Sequence, residues 1–322
     1  MNKKEILKNY SKEKKELLTF FKNHKIKGLY RPIHYIFDSE GKNIRPFFLI
    51  WIYKLYGGRK SNINFIALAI QALHNFTLIH DDIMDGSLKR RGKLTVHEKW
   101  GINTGILSGD ALMIYSYKLL LSKFENKKII NLFSNTATDI CEGQQLDMDL
   151  QKKNKASLKD YLEMINLKTG ALFAFSFQIG PILAGLNVKE QKKMRDIGVL
   201  LGQIFQIQDD YLDLYGGKKL GKQKGLDVME NKKTYLFFVF YMLANNNDIK
   251  EFENSFYSEE SLRKRLIKIK NLFKKYKIKD QVSFKINELM IRINLIIDKV
   301  HFSLEKKKQL KNYIKLLSNR DC

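Results

Sequence analysis

Apolar residues recur at helical spacing along almost the whole of this chain of 322 residues. From Phe65 to Ile79 they follow the i, i+3, i+4, i+7 pattern that places side chains on one face of a helix. The same pattern occurs in four further segments: 107–124, 128–146, 158–186 and 188–215. No two-residue hairpin turn separates alternating apolar and polar runs, which disfavours a sheet. The periodicity therefore predicts an all-α fold.

Length alone would allow one or two domains. The chain contains only three prolines, and it has no linker rich in Gly, Ser or Pro that would mark a boundary. Hydrophobic residues make up 44% of the sequence, which is enough for a sizeable core. We therefore expect a single domain that spans residues 1–322.

The ends and the most apolar stretches bear on the cellular compartment. Residues 1–21 carry charges throughout and do not resemble a secretory signal. The stretches 64–79 and 170–186 are shorter than the ~20 uninterrupted apolar residues that a membrane span needs. Cys141 and Cys322 lie far apart and show no metal-binding or redox spacing. We expect a cytoplasmic protein without stable membrane insertion.

The net charge of +24 is compatible with nucleic acid, an anionic membrane or a polyanionic small substrate. Lysines occur along the whole chain and are densest in residues 261–279, where apolar residues also recur at helical spacing. The sequence has neither zinc-finger spacing nor an RNP-like aromatic motif. An amphipathic helix with a lysine-rich outer face explains the segment, and we expect no nucleic-acid partner.

Two acidic clusters with the pattern D-D-x-x-D lie 128 positions apart, each inside an apolar helical segment. They comprise six residues: Asp81, Asp82 and Asp85, then Asp209, Asp210 and Asp213. On a helix the first and last aspartates of a cluster are one turn apart on the same face. Carboxylate oxygens at that spacing suit Mg²⁺, which keeps other coordination positions for substrate phosphates. A single cluster would equally fit a helix cap or a solvated face, but two favour opposing walls of a magnesium site.

Basic residues accompany the acids. Arg90 and Arg91 follow the first cluster by a short loop, and Lys42 and Arg45 stand three positions apart in GKNIRP. Guanidinium groups bind phosphate oxygens bidentately. Residues 216–222 match G-x-x-x-x-G-K, but Gln223 stands where a nucleotide-binding P-loop needs Ser or Thr. The combination therefore indicates a metal-held polyphosphate substrate and no P-loop.

Together these motifs resemble the trans-isoprenyl diphosphate synthases, or polyprenyl synthetases, of the short-chain geranylgeranyl or farnesyl type. HDDIMDGSLKRRG and GQIFQIQDDYLDLYG are similar to the two aspartate-rich motifs of that family. The similarity extends, in the family's order, to GKxxRP (41–46), GQxxD (143–147), KTG (168–170) and GKxxGxD…NKKT (221–234). The resemblance implies a large helical bundle around a central cavity and a homodimer.

The implied reaction is a Mg²⁺-dependent head-to-tail (1′-4) condensation of isopentenyl diphosphate with allylic diphosphates. A cluster of about three Mg²⁺ ions, which Mn²⁺ could replace, would be held by the six aspartates. Asp81, Asp85 and Asp209 would be the principal ligands, and Asp82, Asp210 and Asp213 would give direct or water-mediated support.

The resemblance also implies substrate-binding and catalytic residues. The allylic diphosphate would be contacted by Arg90, Lys168, Lys222 and Lys232. Isopentenyl diphosphate would be held by Lys42, Arg45, His74 and Arg91. Thr169 and Gln206 would lie near the reacting carbons, and Gln144 and Asp147 would line the same cavity. A lone histidine on an apolar helix is more often part of the core, but His74 stands seven residues before Asp81.

The sequence also bears on the length of the prenyl product and on alternative functions. Phe76 and Thr77 precede Asp81 by five and four residues, about one helical turn from the acids. In the family, an aromatic residue at the fifth position with no insertion between the aspartates resembles the pattern of short products, although core packing would also explain Phe76. C15 enzymes tend to carry a second bulky residue where Thr77 stands, so the sequence resembles the C20 pattern more. The alternative function is a class I terpene cyclase, which also uses D-D-x-x-D but usually carries an Asn-Ser-Glu-type second site. A catalytically silent subunit would be expected to have lost acids from one cluster, and both clusters are intact.

Overall fold

The computed structural model describes residues 3–39, 41–153, 155–216 and 225–318. In these ranges the chain is almost entirely helical, with one π-helical turn and one short antiparallel ribbon. The prediction of an all-α fold is therefore confirmed. The helices and strands up to residue 152 are α1 (Lys3–Ile6), α2 (Lys8–Asn23), α3 (Lys27–Asp38), α4 (Ile44–Leu55), α5 (Ile63–Met84), β1 (Lys89–Arg90), β2 (Lys93–Leu94), α6 (Val96–Trp100), α7 (Ile102–Leu121) and α8 (Lys127–Lys152).

The remaining elements are α9 (Leu158–Ile165), the π turn (Asn166–Gly170), α10 (Ala171–Leu183), α11 (Val188–Tyr215), α12 (Leu226–Met229), α13 (Tyr235–Leu243), α14 (Asn246–Phe256), α15 (Leu262–Lys275), α16 (Ile278–Asp298) and α17 (Leu304–Ser318). The chain forms two compact units. Unit 1 contains residues 1–138 and 172–198, and unit 2 contains residues 139–171 and 199–322.

Helix α5 is the central helix of unit 1. It packs against α7, α4 and α2, and its residues Ile66 to Ile70 are at most 1% exposed. Its length and composition would allow it to cross a membrane, but 67% of its most apolar window is buried. The core helix of a globular unit has the same properties, and α5 carries the first aspartate cluster at its C-terminal end.

The core of unit 2 is rich in aromatic side chains from α13, α14 and α15. The rings of Phe240 and Phe252 are tilted, with 4.8 Å between their centroids, and Phe252 stacks on Phe273 at 5.7 Å. All three rings are buried. Of these helices, α15 packs against α12, which precedes the Lys232 segment.

Buried Arg265 of α15 fixes that segment directly. Its guanidinium donates hydrogen bonds to the carbonyl oxygens of Val228 and Phe256 and to Oδ1 of Asn231. Asn231 has a φ of 55°, a left-handed conformation that asparagine tolerates better than most residues. The turn before Lys232 is therefore held by a buried cation that is hydrogen-bonded to neutral acceptors.

Candidate active site

The first aspartate cluster occupies the last turn of α5. The amide of Asp85 donates to the carbonyl oxygen of Asp81 at 2.9 Å, so these two residues lie one turn apart. Gly86 follows with a φ of 60°, which lets the chain leave the helix and enter the β1–β2 ribbon. The ribbon begins at Lys89 and returns the next basic residue, Arg90, to the cluster.

Arg90 forms a bidentate ion pair with Asp82, which is only 2% exposed. Its Nε lies 2.9 and 2.8 Å from the two carboxylate oxygens, and its Nη2 lies 2.7 Å from Oδ1. The same Nη2 is 3.8 Å from Asp81 Oδ2. Burial acts to lower the pKa of Arg90, but its bonds with Asp82 and the nearby acids raise that pKa overall. Arg90 is therefore a fixed cation beside the acids, and Asp82 already has a strong partner.

A second group of basic side chains forms around His74, on the same helix as the acids. Arg45 Nη1 lies 3.1 Å from His74 Nε2, and its guanidinium lies 4.7 Å above the ring of Phe173. Arg91 Nη1 donates to Ser39 Oγ at 3.2 Å and has a φ of 52°. We call Arg45, His74 and Arg91 the basic cluster.

Gly41 lies against this cluster, since a Cβ at that position would be 2.9 Å from Arg91 Nη1. A side chain at this position would have to displace the end of the Arg91 guanidinium. The side chain of Lys42 is exposed, and its carbonyl oxygen accepts a hydrogen bond from Lys3 Nζ at 2.6 Å. All four residues predicted to hold isopentenyl diphosphate lie in unit 1. Three of them form the basic cluster, and the hydrogen bond from Lys3 reaches the backbone of Lys42.

His74 is neutral in this setting. Burial and the nearby charges of Arg45, Arg91 and Arg90 hold its pKa well below the usual value of 6.5. The Arg45 guanidinium can only donate, so His74 Nε2 accepts, and the ring proton of the neutral imidazole is on Nδ1. The cluster thus contains two cations and a neutral imidazole whose Nε2 accepts from Arg45.

Replacing His74 with glutamine should reduce the acid sensitivity of the fold. Because the pKa of His74 is lower in the folded chain than in the unfolded chain, the unfolded chain binds more protons once the pH falls towards 6.5. Falling pH therefore favours unfolding through His74. Between about pH 7.5 and about pH 5.5, the melting temperature of the wild type should fall about 2 °C further than that of His74→Gln. The exposed His301→Gln is the control, and equal falls in wild type and His74→Gln would contradict the assignment.

Phe76 and Thr77 follow His74 on α5. The Phe76 ring is buried and lies 4.7 Å from the ring of His80, and Thr77 Oγ1 donates to the His74 carbonyl oxygen at 2.8 Å. A Cβ on Gly109 of α7 would be 2.3 Å from His80 Nε2, so that glycine makes room for His80. His80 thus fixes one side of the Phe76 ring.

The second aspartate cluster lies near the end of α11, in unit 2. Asp210 is buried and accepts three hydrogen bonds: from Tyr161 Oη at 2.7 Å, from the Tyr235 amide at 2.9 Å and from Gln206 Nε2 at 3.0 Å. Burial raises its pKa to about 6, although all three donors act in the opposite direction. Asp213 Oδ2 accepts from the Asp227 amide at 3.2 Å.

The π turn carries Lys168 and Thr169, both predicted site residues. Lys168 Nζ is 2.6 Å from Asp147 Oδ2, and Thr169 Oγ1 donates to Gln206 Oε1 at 2.8 Å. Single π turns inside helices are frequent at functional sites. The KTG motif, Asp147 of the GQxxD motif and Gln206 are therefore brought together.

Two glycines allow helices to approach the π turn. A Cβ on Gly143 of α8 would be 2.2 Å from the Lys168 backbone nitrogen, and one on Gly202 of α11 would be 2.6 Å from Gly170 Cα. Both contacts are with backbone, which cannot move aside as a flexible side chain can. Glycine is thus required where α8 and α11 contact the residues that carry Lys168 and Thr169.

Lys232 Nζ lies 2.9 Å from Glu230 Oε2, while Lys222 lies outside the described residues. Sequence reasoning missed three groups that support the site: the Tyr161 hydroxyl, the Tyr235 amide and Lys233. Lys233 Nζ donates to the carbonyl oxygens of Leu150 and Gln151 at 3.0 and 3.2 Å, at the end of α8. The position of Lys233 in the NKKT motif could have indicated a role for it. Tyr161 lies in no motif, and its sequence position does not distinguish it from an aromatic core residue.

With this geometry established, comparison with known proteins defines the class. Residues 26–273 match the polyprenyl synthetase family. A geranylgeranyl diphosphate synthase from Methanosarcina mazei is 41% identical over 65% of this chain and 66% of that protein. One from Sulfolobus acidocaldarius is 35% identical over 78% of each chain. A crystal structure of a geranylgeranyl pyrophosphate synthase shares 36% identity, covers 100% of both chains and has a TM-score of 0.92.

The chain belongs to the polyprenyl synthetase family. It has the all-α isoprenoid synthase fold, and it is a prenyltransferase of the short-chain isoprenyl diphosphate synthase type, as the motifs predicted. The relatives do not favour the terpene cyclase alternative.

Proposed function

We propose that this chain makes geranylgeranyl diphosphate (C20) by successive condensations of isopentenyl diphosphate, with farnesyl diphosphate (C15) as the second candidate product. The observation that carries the proposal is the basic cluster around His74, which lies on the helix that also bears Asp81 and Asp85. Arg45, His74 and Arg91 offer a diphosphate site separate from the acids. A condensing enzyme needs two such sites because it binds two diphosphates, whereas a terpene cyclase needs one.

The residues present fit magnesium, on which this family generally depends. The donors are all carboxylate oxygens, the ligand type that Mg²⁺ prefers. Within the described ranges no three acidic, His or Cys side chains already surround one point, so substrate oxygens and water would complete the coordination. We propose that Asp81, Asp85 and Asp209 hold about three Mg²⁺ ions, for which Mn²⁺ could substitute.

The remaining acids support these ligands in different ways. Asp82 is engaged by Arg90, and Asp210 is surrounded by three donors, so both fit an indirect role better than direct ligation. Asp213 is held through the Asp227 amide and would assist through water. These assignments, like the substrate roles of Lys42, Lys222 and Lys232, stay predictions.

The reaction follows from the charges. Bound magnesium would supply charge stabilisation to the departing diphosphate. Arg90 and Lys168 add fixed positive charge as the allylic C1–O bond breaks. The C3=C4 double bond of isopentenyl diphosphate, held by the basic cluster, attacks C1 and forms the new C–C bond. A proton leaves C2 and is accepted by the released diphosphate.

Thr169 and Gln206 would orient the reacting carbons, and Gln144 and Asp147 would line the same space. Apolar helices exclude water and so protect the carbocation. Both aspartate clusters serve this one reaction.

Product analysis tests the proposal. Purified protein would be incubated with Mg²⁺, labelled isopentenyl diphosphate and each of the C5, C10 and C15 allylic diphosphates. Conversion to a C20 diphosphate is expected, and C15 as end product would support the second candidate. Hydrocarbon formed from farnesyl diphosphate without incorporation of the label would instead indicate a cyclase.

Replacing Phe76 with alanine should lengthen the product. The buried ring stands one turn before the acids, where we propose that it limits the growing tail, and its loss opens roughly the volume of a benzyl group. Chromatography of the products should show a shift from C20 to C25 and longer chains. Phe65→Ala, three turns earlier on α5, is the control and should leave the length unchanged. An unchanged product in Phe76→Ala would rule out this limit.

We further propose that residues 1–322 work as one synthase domain in a cytoplasmic homodimer. The family resemblance supports the dimer. The scattered lysines and the largely buried α5 support the absence of a nucleic-acid partner and of stable membrane insertion.

A further inference from the structure

Tyr161 is a buried side chain that no motif explains. It lies on α9, is 1% exposed, and donates its hydroxyl to Asp210 Oδ2 at 2.7 Å. A capping box between Ser157 and Asp160 fixes the first turn of α9, directly before Tyr161. The hydroxyl is thus presented from a rigid position. Core packing alone would require only the ring.

The bonds beyond Tyr161 lead to proposed catalytic residues. Asp210 Oδ1 accepts from Gln206 Nε2 at 3.0 Å, and Gln206 Oε1 accepts from Thr169 Oγ1 at 2.8 Å. An ionised carboxylate only accepts, so it determines which end of the Gln206 amide faces it. The amide in turn determines that the Thr169 hydroxyl donates. The hydrogen bonds from Thr169 to Gln206 and from Gln206 to Asp210 therefore run in one direction and end at the Asp210 carboxylate.

We propose that Tyr161 is a positioning residue of the second aspartate cluster, which holds Asp210 and, through it, Gln206 and Thr169. The inference rests on the proposed function. Asp210 lies on α11 together with Asp209 and Asp213. Its bonds to Tyr161 and to the Tyr235 amide hold that turn of α11 in place. Without the hydroxyl, the carboxylate keeps two donors and can rotate. The cost of an unfilled buried acceptor then favours rearrangement of the network.

The test removes one oxygen atom by Tyr161→Phe. The matched control is Tyr241→Phe, because the Tyr241 hydroxyl also donates to a carboxylate of unit 2, Glu253 Oε1, at 2.8 Å. We expect Tyr161→Phe to lower kcat by about 10-fold or more, since misplaced groups lose rate steeply. The KM for isopentenyl diphosphate should change less than about twofold, because the proposed binding residues for it lie in unit 1.

A binding measurement supplies a readout independent of turnover. Magnesium chloride with inorganic diphosphate should raise the melting temperature of the wild type and of Tyr241→Phe equally. In Tyr161→Phe this gain should be about half or less, because the acids are no longer held in place. Asp210→Asn is the second variant and should reduce the gain in the same way. It keeps the proposal testable if Tyr161→Phe does not fold.

Several results would overturn the proposal. The first is that Tyr161→Phe keeps the kcat and the ligand-induced melting shift of the wild type. The second is that Tyr241→Phe loses as much kcat and melting shift as Tyr161→Phe. A parallel rise in the KM for isopentenyl diphosphate would indicate general structural damage. If the wild type forms no product but Tyr161→Phe still loses the melting shift, the proposed function is wrong and the positioning role stands.

Discussion

Replacing Asp81 with alanine should lower kcat for condensation about 10³-fold. Asp81 stands one turn from Asp85 and 3.8 Å from the Arg90 guanidinium, at the point where negative and positive charge meet. Loss of its carboxylate would remove a proposed ligand and leave Arg90 with less negative charge nearby. Steady-state kinetics over a magnesium titration would measure the loss, and higher magnesium should restore little of it.

The control for Asp81→Ala is Asp298→Ala. Asp298 is an exposed carboxylate that pairs with Lys311 at 2.6 Å, so its removal also deletes an ion pair of a helix end. Its kcat should stay within about twofold of wild type, because exposed ion pairs contribute little. Activity of Asp81→Ala within about tenfold of wild type would refute the assignment of Asp81 as a principal ligand.

Replacing Gly143 with alanine should lower kcat about 10²-fold. The new Cβ would lie 2.2 Å from the Lys168 backbone nitrogen, a distance that no side-chain rotation relieves. Either α8 or the π turn must shift, and the 2.6 Å pair between Lys168 and Asp147 then loses its geometry. A shift of about 1 Å at groups that orient a reacting substrate is enough for such a loss.

Gly198→Ala is the matched variant for this experiment. Its Cβ would meet Ala174 Cα at 2.6 Å, a comparable clash between helix backbones in unit 1, away from the π turn. We expect both variants to lower the melting temperature, and only Gly143→Ala to lose most of its kcat per folded molecule. Equal kcat losses in the two variants would show that the glycine serves general packing.

Much of this arrangement follows from local sequence. Helix α11 spans residues 188–215, as the apolar period predicted, because nothing in that segment breaks the period. The π turn gave no such signal, since one extra residue in a turn barely disturbs an apolar pattern over 158–186. Local pattern fixes where helices lie, but not the detail of a single turn.

Partners across sequence distance could not be predicted. Arg90 was expected to contact a diphosphate, and the structure shows its guanidinium bonded to Asp82, eight residues earlier. Asp210 accepts a hydrogen bond from Tyr161, which is 49 residues away. Composition would predict an exposed side chain for Arg265, which lies in the most lysine-rich segment, but the side chain is buried. These outcomes depend on tertiary packing, which a motif does not encode.

The left-handed backbone at Arg91 has a cost in stability. This conformation costs roughly 1 kcal/mol for a residue with a Cβ, and glycine would adopt it freely. The next residue, Gly92, also has a positive φ of 77°, so the ribbon already uses glycine where no side chain is needed. The arginine at this strained position therefore gives up stability for a guanidinium that bonds Ser39 and adds positive charge near His74.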